Sequence, residues 1–221
     1  MSEENKHVPE SYVWPLTALF LVIVPQVFVP SRLRVGPPSV VPVIEGVVFV
    51  ALLAIAARPG PVPRGARPVV LALFGVLLVA NTGAAARLVY VVLSGSKVGT
   101  APPGVDRLLT AALLVILTNV VTFGLFYWQI DAGGPQGRMR QPPPYPDFMF
   151  PQHEAEGLAR PGWQPHFADH LYLSYTNVVA FSPTDAVPMT IRAKGLMTLQ
   201  SLISLSVLAV VLARVINVLP S

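Results

Sequence analysis

Cysteine is absent from the 221 residues, which excludes disulfides, thiolate metal centres and a cysteine nucleophile. Charge is scarce as well. Asp, Glu, Lys and Arg make up 12% of the chain, against about 25% in an ordinary soluble domain. A water-soluble protein of this size would lack the polar surface that keeps it dispersed. Phosphate loops, nucleotide fingerprints and G-x-S-x-G elbows are missing, and neither Asp131/Asp147 nor any other acidic pair stands at a spacing that fixes a partner for acid–base work. No enzyme is expected, and no cofactor. The 15 Lys and Arg residues give a formal charge of +4. They stand singly or in pairs between apolar runs, as in Arg32/Arg34, Arg58/Arg64/Arg67 and Arg138/Arg140. That spread reads as loop arginines orienting spans in a bilayer, and no nucleic-acid partner is expected.

What the chain has is apolar length: 53% of it is hydrophobic and its mean hydropathy is +0.60. A spanning helix needs about 20 apolar residues. Stretches with little or no charge fall at 11–31, 40–57, 68–93, 108–130 and 195–213, the last running on to 219 past Arg214. Tyr12 and Trp14 at the first, and Tyr127 and Trp128 closing the fourth, suit the bilayer interface. The fold class expected is all-α: a multi-pass protein of the plasma (inner) membrane with about five transmembrane helices. The start MSEENKHVPE has no basic n-region, and no A-x-A-like cleavage site follows the first apolar run, so that span is expected to be kept. Three units are expected: a four-span bundle at 1–130, a Pro-rich extramembrane loop at 131–166, and a C-terminal unit at 167–221. The loop contains PPPYP and RPGWQP. It is too polar to span and too proline-dense for a helix, which predicts an extended conformation.

Polar residues inside spans are costly and mark contacts or function. Glu45 and Arg87 are a candidate intramembrane ion pair. Otherwise Glu45 sits at headgroup level and Arg87 snorkels. Asn81 and Asn119, each alone in an apolar span, read as helix-to-helix contacts. His166 and His170 have the i, i+4 spacing of a zinc pair, but the glutamate of H-E-x-x-H is missing and Pro165 precedes the first. No metal site is assigned there. His153 and Glu154, with Glu156, read as a solvated loop face, the alternative being weak coordination of a cation.

The most informative stretch precedes the last span. Residues 167–179 form an amphipathic run too short to cross a bilayer. Ala180-Phe181-Ser182-Pro183-Thr184-Asp185 breaks it, and Ala186-Val187-Pro188-Met189-Thr190 leads into the final span. Short helix, irregular backbone, then full helix is the pattern of a re-entrant loop, which is tolerated at membrane depth where it lines water or is buried in protein. Over about 50 residues this arrangement resembles the pore region of the tetrameric pore-loop cation channels, potassium channels in particular. Asp185 to Thr190 lies where that family has D-x-x-P-x-T, and residues 172–179 lie where it has the pore helix. The resemblance implies a homotetramer that conducts a monovalent cation passively, with Thr176, Ala180, Phe181, Ser182, Pro183, Thr184 and Asp185 at the filter. No glycine stands at the filter positions, and Pro183 fixes its own φ. The hydroxyls of Ser182 and Thr184 and the carboxylate of Asp185 would line the route instead of a carbonyl stack. Gln200, Ser201 and Ser204 form a polar stripe on the last span. It faces either the pore or neighbouring helices. The alternative function is a non-conducting membrane scaffold or accessory subunit. The whole chain also resembles uncharacterised bacterial membrane proteins with four spans, a polar loop, a Y-x-S-x-T-like segment and one last span, which implies location and not mechanism. Loop charges favour an N-terminus inside, the channel resemblance favours the reverse, and both orientations stay open.

Overall fold

The computed structural model describes residues 10–28, 40–58, 63, 65–95, 104–140, 144–154, 159–160, 162–180 and 185–218. The apolar stretches are helices: α1 (Val13–Phe28), α2 (Val40–Ala56), α3 (Ala66–Ser94), α4 (Val105–Ile130) and, last in the chain, α8 (Ile191–Val218). Between α4 and α8 come a 3-10 turn (Asp131–Gly133), two single-turn helices α5 (Pro135–Arg138) and α6 (Pro151–Glu154), and α7 (Phe167–Val179). Two short strands, β1 (Phe148–Met149) and β2 (Val187–Pro188), pair antiparallel with Phe148 opposite Pro188. Each long helix matches an expected span to within a few residues. Residues 29–31 of the first expected span lie outside the described residues. Pro25 is carried inside α1.

Among the described residues, α3, α8 and the helix beginning at Val105 are long and apolar enough to cross a membrane, and α1 and α2 are shorter apolar helices. Their outer faces stay apolar, with Phe20, Val50, Val79, Leu113 and Leu212 all exposed. Water does not tolerate such a surface at this scale, whereas hydrocarbon does.

α4 is the axis of the bundle. It touches α1, α3, α7 and α8, and nearly every residue from Thr118 to Ile130 is buried. One core joins α3, α4, α7 and α8 around Leu88, Phe123, Tyr127 and Val207. A second joins α1, α2, α3 and α4 around Leu19, Leu52, Phe74 and Trp128. Burial of these side chains stabilises each by about 1.5–3 kcal/mol relative to water.

Helix directions follow from contacts at the Trp128 end. Tyr12, just before α1, meets the Trp128 ring edge-on at 5.3 Å, and Arg67, in the first turn of α3, donates to the Gln129 carbonyl at 3.4 Å. α1 and α3 therefore start at the end where α4 finishes, and so does α8, whose Arg192 holds Asp147, itself bonded to Asp131. α7 starts there too, with His170 3.1 Å from Asp131. It runs inward until Asn177 meets Gln200, nine residues or about 14 Å into α8 at 1.5 Å per residue. The chain then returns to the same end, where β2 pairs with β1.

The described residues of the segment 131–166 are not the extended chain expected there. Asp131, Arg138, Asp147, Phe148 and Phe150 are buried in it. Proline and glycine there set turns rather than an open chain. At Gly137 a side chain would stand 2.2 Å from the Ala132 carbonyl oxygen, so only glycine lets the chain double back and bring Arg138 under α4. Phe150 and Trp163 then pack edge-on at 6.1 Å. The described residues of the segment form a cap over one end of the bundle.

Candidate functional site

Two polar layers define the region around α7. The outer layer is the cap. The Glu10 carboxylate accepts from Trp128 Nε1 at 2.7 Å, from the Phe167 backbone N–H at 2.7 Å and from Arg138 Nη2 at 2.8 Å. Arg138 Nη1 also donates to the carbonyls of Trp128 at 3.0 Å and Asp131 at 2.9 Å. Asp131 in turn accepts from the Asp147 and Phe148 backbone N–H groups at 2.8 and 3.2 Å. Its other oxygen lies against His170 Nε2. Asp147 is held by Arg192 at 2.5 and 2.6 Å and by Thr190 at 2.5 Å, which fixes the start of α8. Burial, and then the charge of Glu10, hold the Tyr12 phenol above its ordinary value.

The inner layer joins α4, α7 and α8. Gln200 Oε1 accepts from Tyr127 Oη at 2.6 Å and from Asn177 Nδ2 at 2.8 Å, while its Nε2 donates to the Ser174 hydroxyl at 2.7 Å. Ser174 passes the chain on to the Val120 carbonyl at 2.7 Å. Ser201 donates to Asn177 Oδ1 at 3.2 Å, and Ser204 to the Gln200 carbonyl at 2.9 Å. Gly124 permits the close approach, since a side chain there would sit 3.2 Å from the Leu171 Cα.

Of the expected site residues, Gln200 is buried and bonded to α4 and α7 within one protomer, Ser204 is buried and bonded to the Gln200 carbonyl of its own helix, and Ser201 is half-buried beside them. Thr176 is buried and donates to the Leu173 carbonyl. Ala180 and Asp185 are exposed at the two sides of the loop. Phe181, Ser182, Pro183 and Thr184 lie outside the described residues. Glu45 does not meet Arg87. Its carboxylate is taken by Gln26 and Thr118, while Arg87 lies on the exposed face of α3. Arg138 is no orienting loop arginine; it is 4% exposed and ion-paired. Asn81 and Asn119 are buried between helices, but Asn119 has neither of its polar atoms bonded and Asn81 Nδ2 is likewise without a partner among the described residues. His166 and His170 do not converge: His170 is buried on Asp131, whereas the His166 side chain is 61% exposed. No group of three or more metal-ligating His, Asp or Glu side chains occurs among the described residues.

Glu10, Asp131, Arg138, Asp147 and Arg192 were not legible as a set. Their partners are separated by up to 157 positions, and no spacing rule links residues that far apart. The one local signal was an acidic residue, Asp131, directly after the aromatic close of a span.

The length, composition and packing of these helices are those of a multi-pass helical membrane protein. No family model, no curated protein and no solved structure matches the chain.

Proposed function

We propose that the chain is a pore-loop protein of the membrane, assembling as a homotetramer that passes monovalent cations through the loop between α7 and α8. The observation that carries this reading is the course of the chain. α7 enters the bundle from the Trp128 end and stops about 14 Å into α8, while β2, which precedes α8, lies back at the end where α7 begins. A helix end at such depth leaves backbone carbonyls that need protein or water as partners. Tyr172, Tyr175 and Val179 leave one face of α7 exposed, so a neighbouring copy is needed to cover it. Asp185, exposed where the chain climbs back, supplies negative charge at the mouth and favours cations.

A specific observation favours the non-conducting scaffold as second reading: Ser174, Asn177, Gln200 and Ser204 spend their hydrogen bonds inside one protomer. Flux of potassium and of sodium into liposomes holding the purified protein separates the two. Conduction that Asp185→Asn reduces at least tenfold is the expected result. Silence from a folded, oligomeric preparation overturns it in favour of the scaffold.

A further inference from the structure

His170 and Asp131 meet with both side chains 0% exposed, where α7 begins and α4 ends. Each ring nitrogen of His170 faces an oxygen. Nδ1 lies 2.8 Å from the His166 carbonyl, and Nε2 lies 3.1 Å from Asp131 Oδ2. A carbonyl and an ionised carboxylate only accept, whereas a neutral imidazole has one N–H and one bare lone pair. Whichever nitrogen carries the single hydrogen, the other would point its lone pair at an oxygen. The two contacts therefore require one proton more than a neutral ring and a carboxylate hold between them. The surroundings of Asp131 put that proton on the ring. Its Oδ1 accepts from the Asp147 and Phe148 backbone N–H groups, and Arg138 Nη1 stands 3.9 Å from Oδ2, all of which favour the carboxylate.

The charges of the cap make the same demand. Glu10, Asp131 and Asp147 bring three carboxylates into it, none with a side chain more than 10% exposed. Arg138 and Arg192 answer two of them. The other titratable and charged groups nearby are engaged elsewhere or lie at the rim. Asp169 on α7 is turned to the His166 N–H, and His153 Nδ1 accepts from the Phe150 N–H. The His166 side chain is 61% exposed, Arg67 on α3 donates to the Gln129 carbonyl, and Arg140 is exposed. A positive charge on His170 completes three against three, the balance that a buried cluster needs.

The geometry points to a proton bound between His170 and Asp131, latching the start of α7 to the cap and released as the pH rises. Its loss leaves either the His166 carbonyl or Asp131 facing a bare ring nitrogen. Asp131 is also the residue that holds β1, through the Phe148 N–H, so release loosens α7 and the cap together. The sign follows from linkage. A folded chain that keeps a proton the unfolded chain gives up is stabilised below the ordinary histidine value of about 6.5, and loses that stability as the pH climbs. The latch is separate from the loop between α7 and α8 and does not rest on conduction.

The test is nitrogen NMR of the full chain, with labelled histidine, in lipid nanodiscs at about pH 7.5, roughly one unit above the ordinary histidine value. The expected result is that one of the four histidines carries hydrogen on both ring nitrogens, and that its signal is lost in His170→Gln. A His170 ring with a single N–H overturns the inference. Thermal unfolding gives a second readout. Between about pH 6 and about pH 9 the midpoint of the parent is expected to fall about 5 °C further than that of His170→Gln. A merely structural role would lower the variant's midpoint and leave the two slopes equal, which overturns the inference as well. Should His170→Gln fail to fold, His7→Gln, His153→Gln and His166→Gln, made in turn, assign the His170 signal by elimination.

Discussion

Glu10 holds three elements with one carboxylate: the indole of Trp128 on α4, the guanidinium of Arg138 in the cap, and the first backbone N–H of α7 at Phe167. Removing it takes away the closer of the two carboxylates that neutralise buried Arg138, leaving Asp131 at 3.9 Å, and leaves two donors unpaired. Breaking a buried pair from one side costs about 3–5 kcal/mol. Glu10→Ala is expected to lower unfolding stability in detergent by that amount, whereas Glu10→Gln keeps one acceptor and loses less. A denaturant series on both variants checks the order. In the bare sequence Glu10 is one acidic residue of a polar leader, and nothing local marks it as the anchor of a cap formed more than a hundred positions later.

α7 behaves differently, because its limits were readable. The amphipathic run 167–179 is the helix observed, and the Asp169 side chain accepts from the His166 N–H at 2.7 Å to close its first turn. Its seat against α4 was not readable. That contact depends on Gly124, whose missing side chain admits Leu171. Gly124→Leu is expected to push α7 off α4 and break the Ser174 and Gln200 bonds, at about 1–3 kcal/mol for the overpacking alone. Because the chain has no cysteine, Val178→Cys supplies a single reporter at a buried position of α7. Its labelling by a water-soluble maleimide is expected to be slow on the parent and about tenfold faster with Gly124→Leu, a local opening read as accessibility. Unchanged labelling would mean that α7 keeps its place without the glycine.

The assembled molecule shows an unfinished face. Tyr172, Tyr175 and Val179 on α7 are exposed beside Leu199, Leu202 and Leu205 on α8. The α8 leucines suit lipid, but two tyrosines on a helix that stops at membrane depth do not. Native mass spectrometry from nanodiscs is expected to give four copies. A monomer across protein-to-lipid ratios would remove the central axis, and cation flux with it.

Composition alone pointed to lipid: a protein with so few charges and five apolar runs, three of them helices long enough to cross a membrane, lacks the polar surface of a soluble domain. Periodicity and proline placement then set where α1 to α4, α7 and α8 run, since helix length is a local property. Which polar side chains meet was decided only by the tertiary structure. Glu45 and Arg87 are the two charges within apolar spans that pairing rules bring together, yet Gln26 and Thr118 take the carboxylate because α1 and α4 pack on that side of α2. Likewise Gln200, Ser201 and Ser204 form one stripe in any helical projection. Only the position of α7 turns that stripe inward, since a polar face in a bilayer turns to whichever neighbour carries the matching groups.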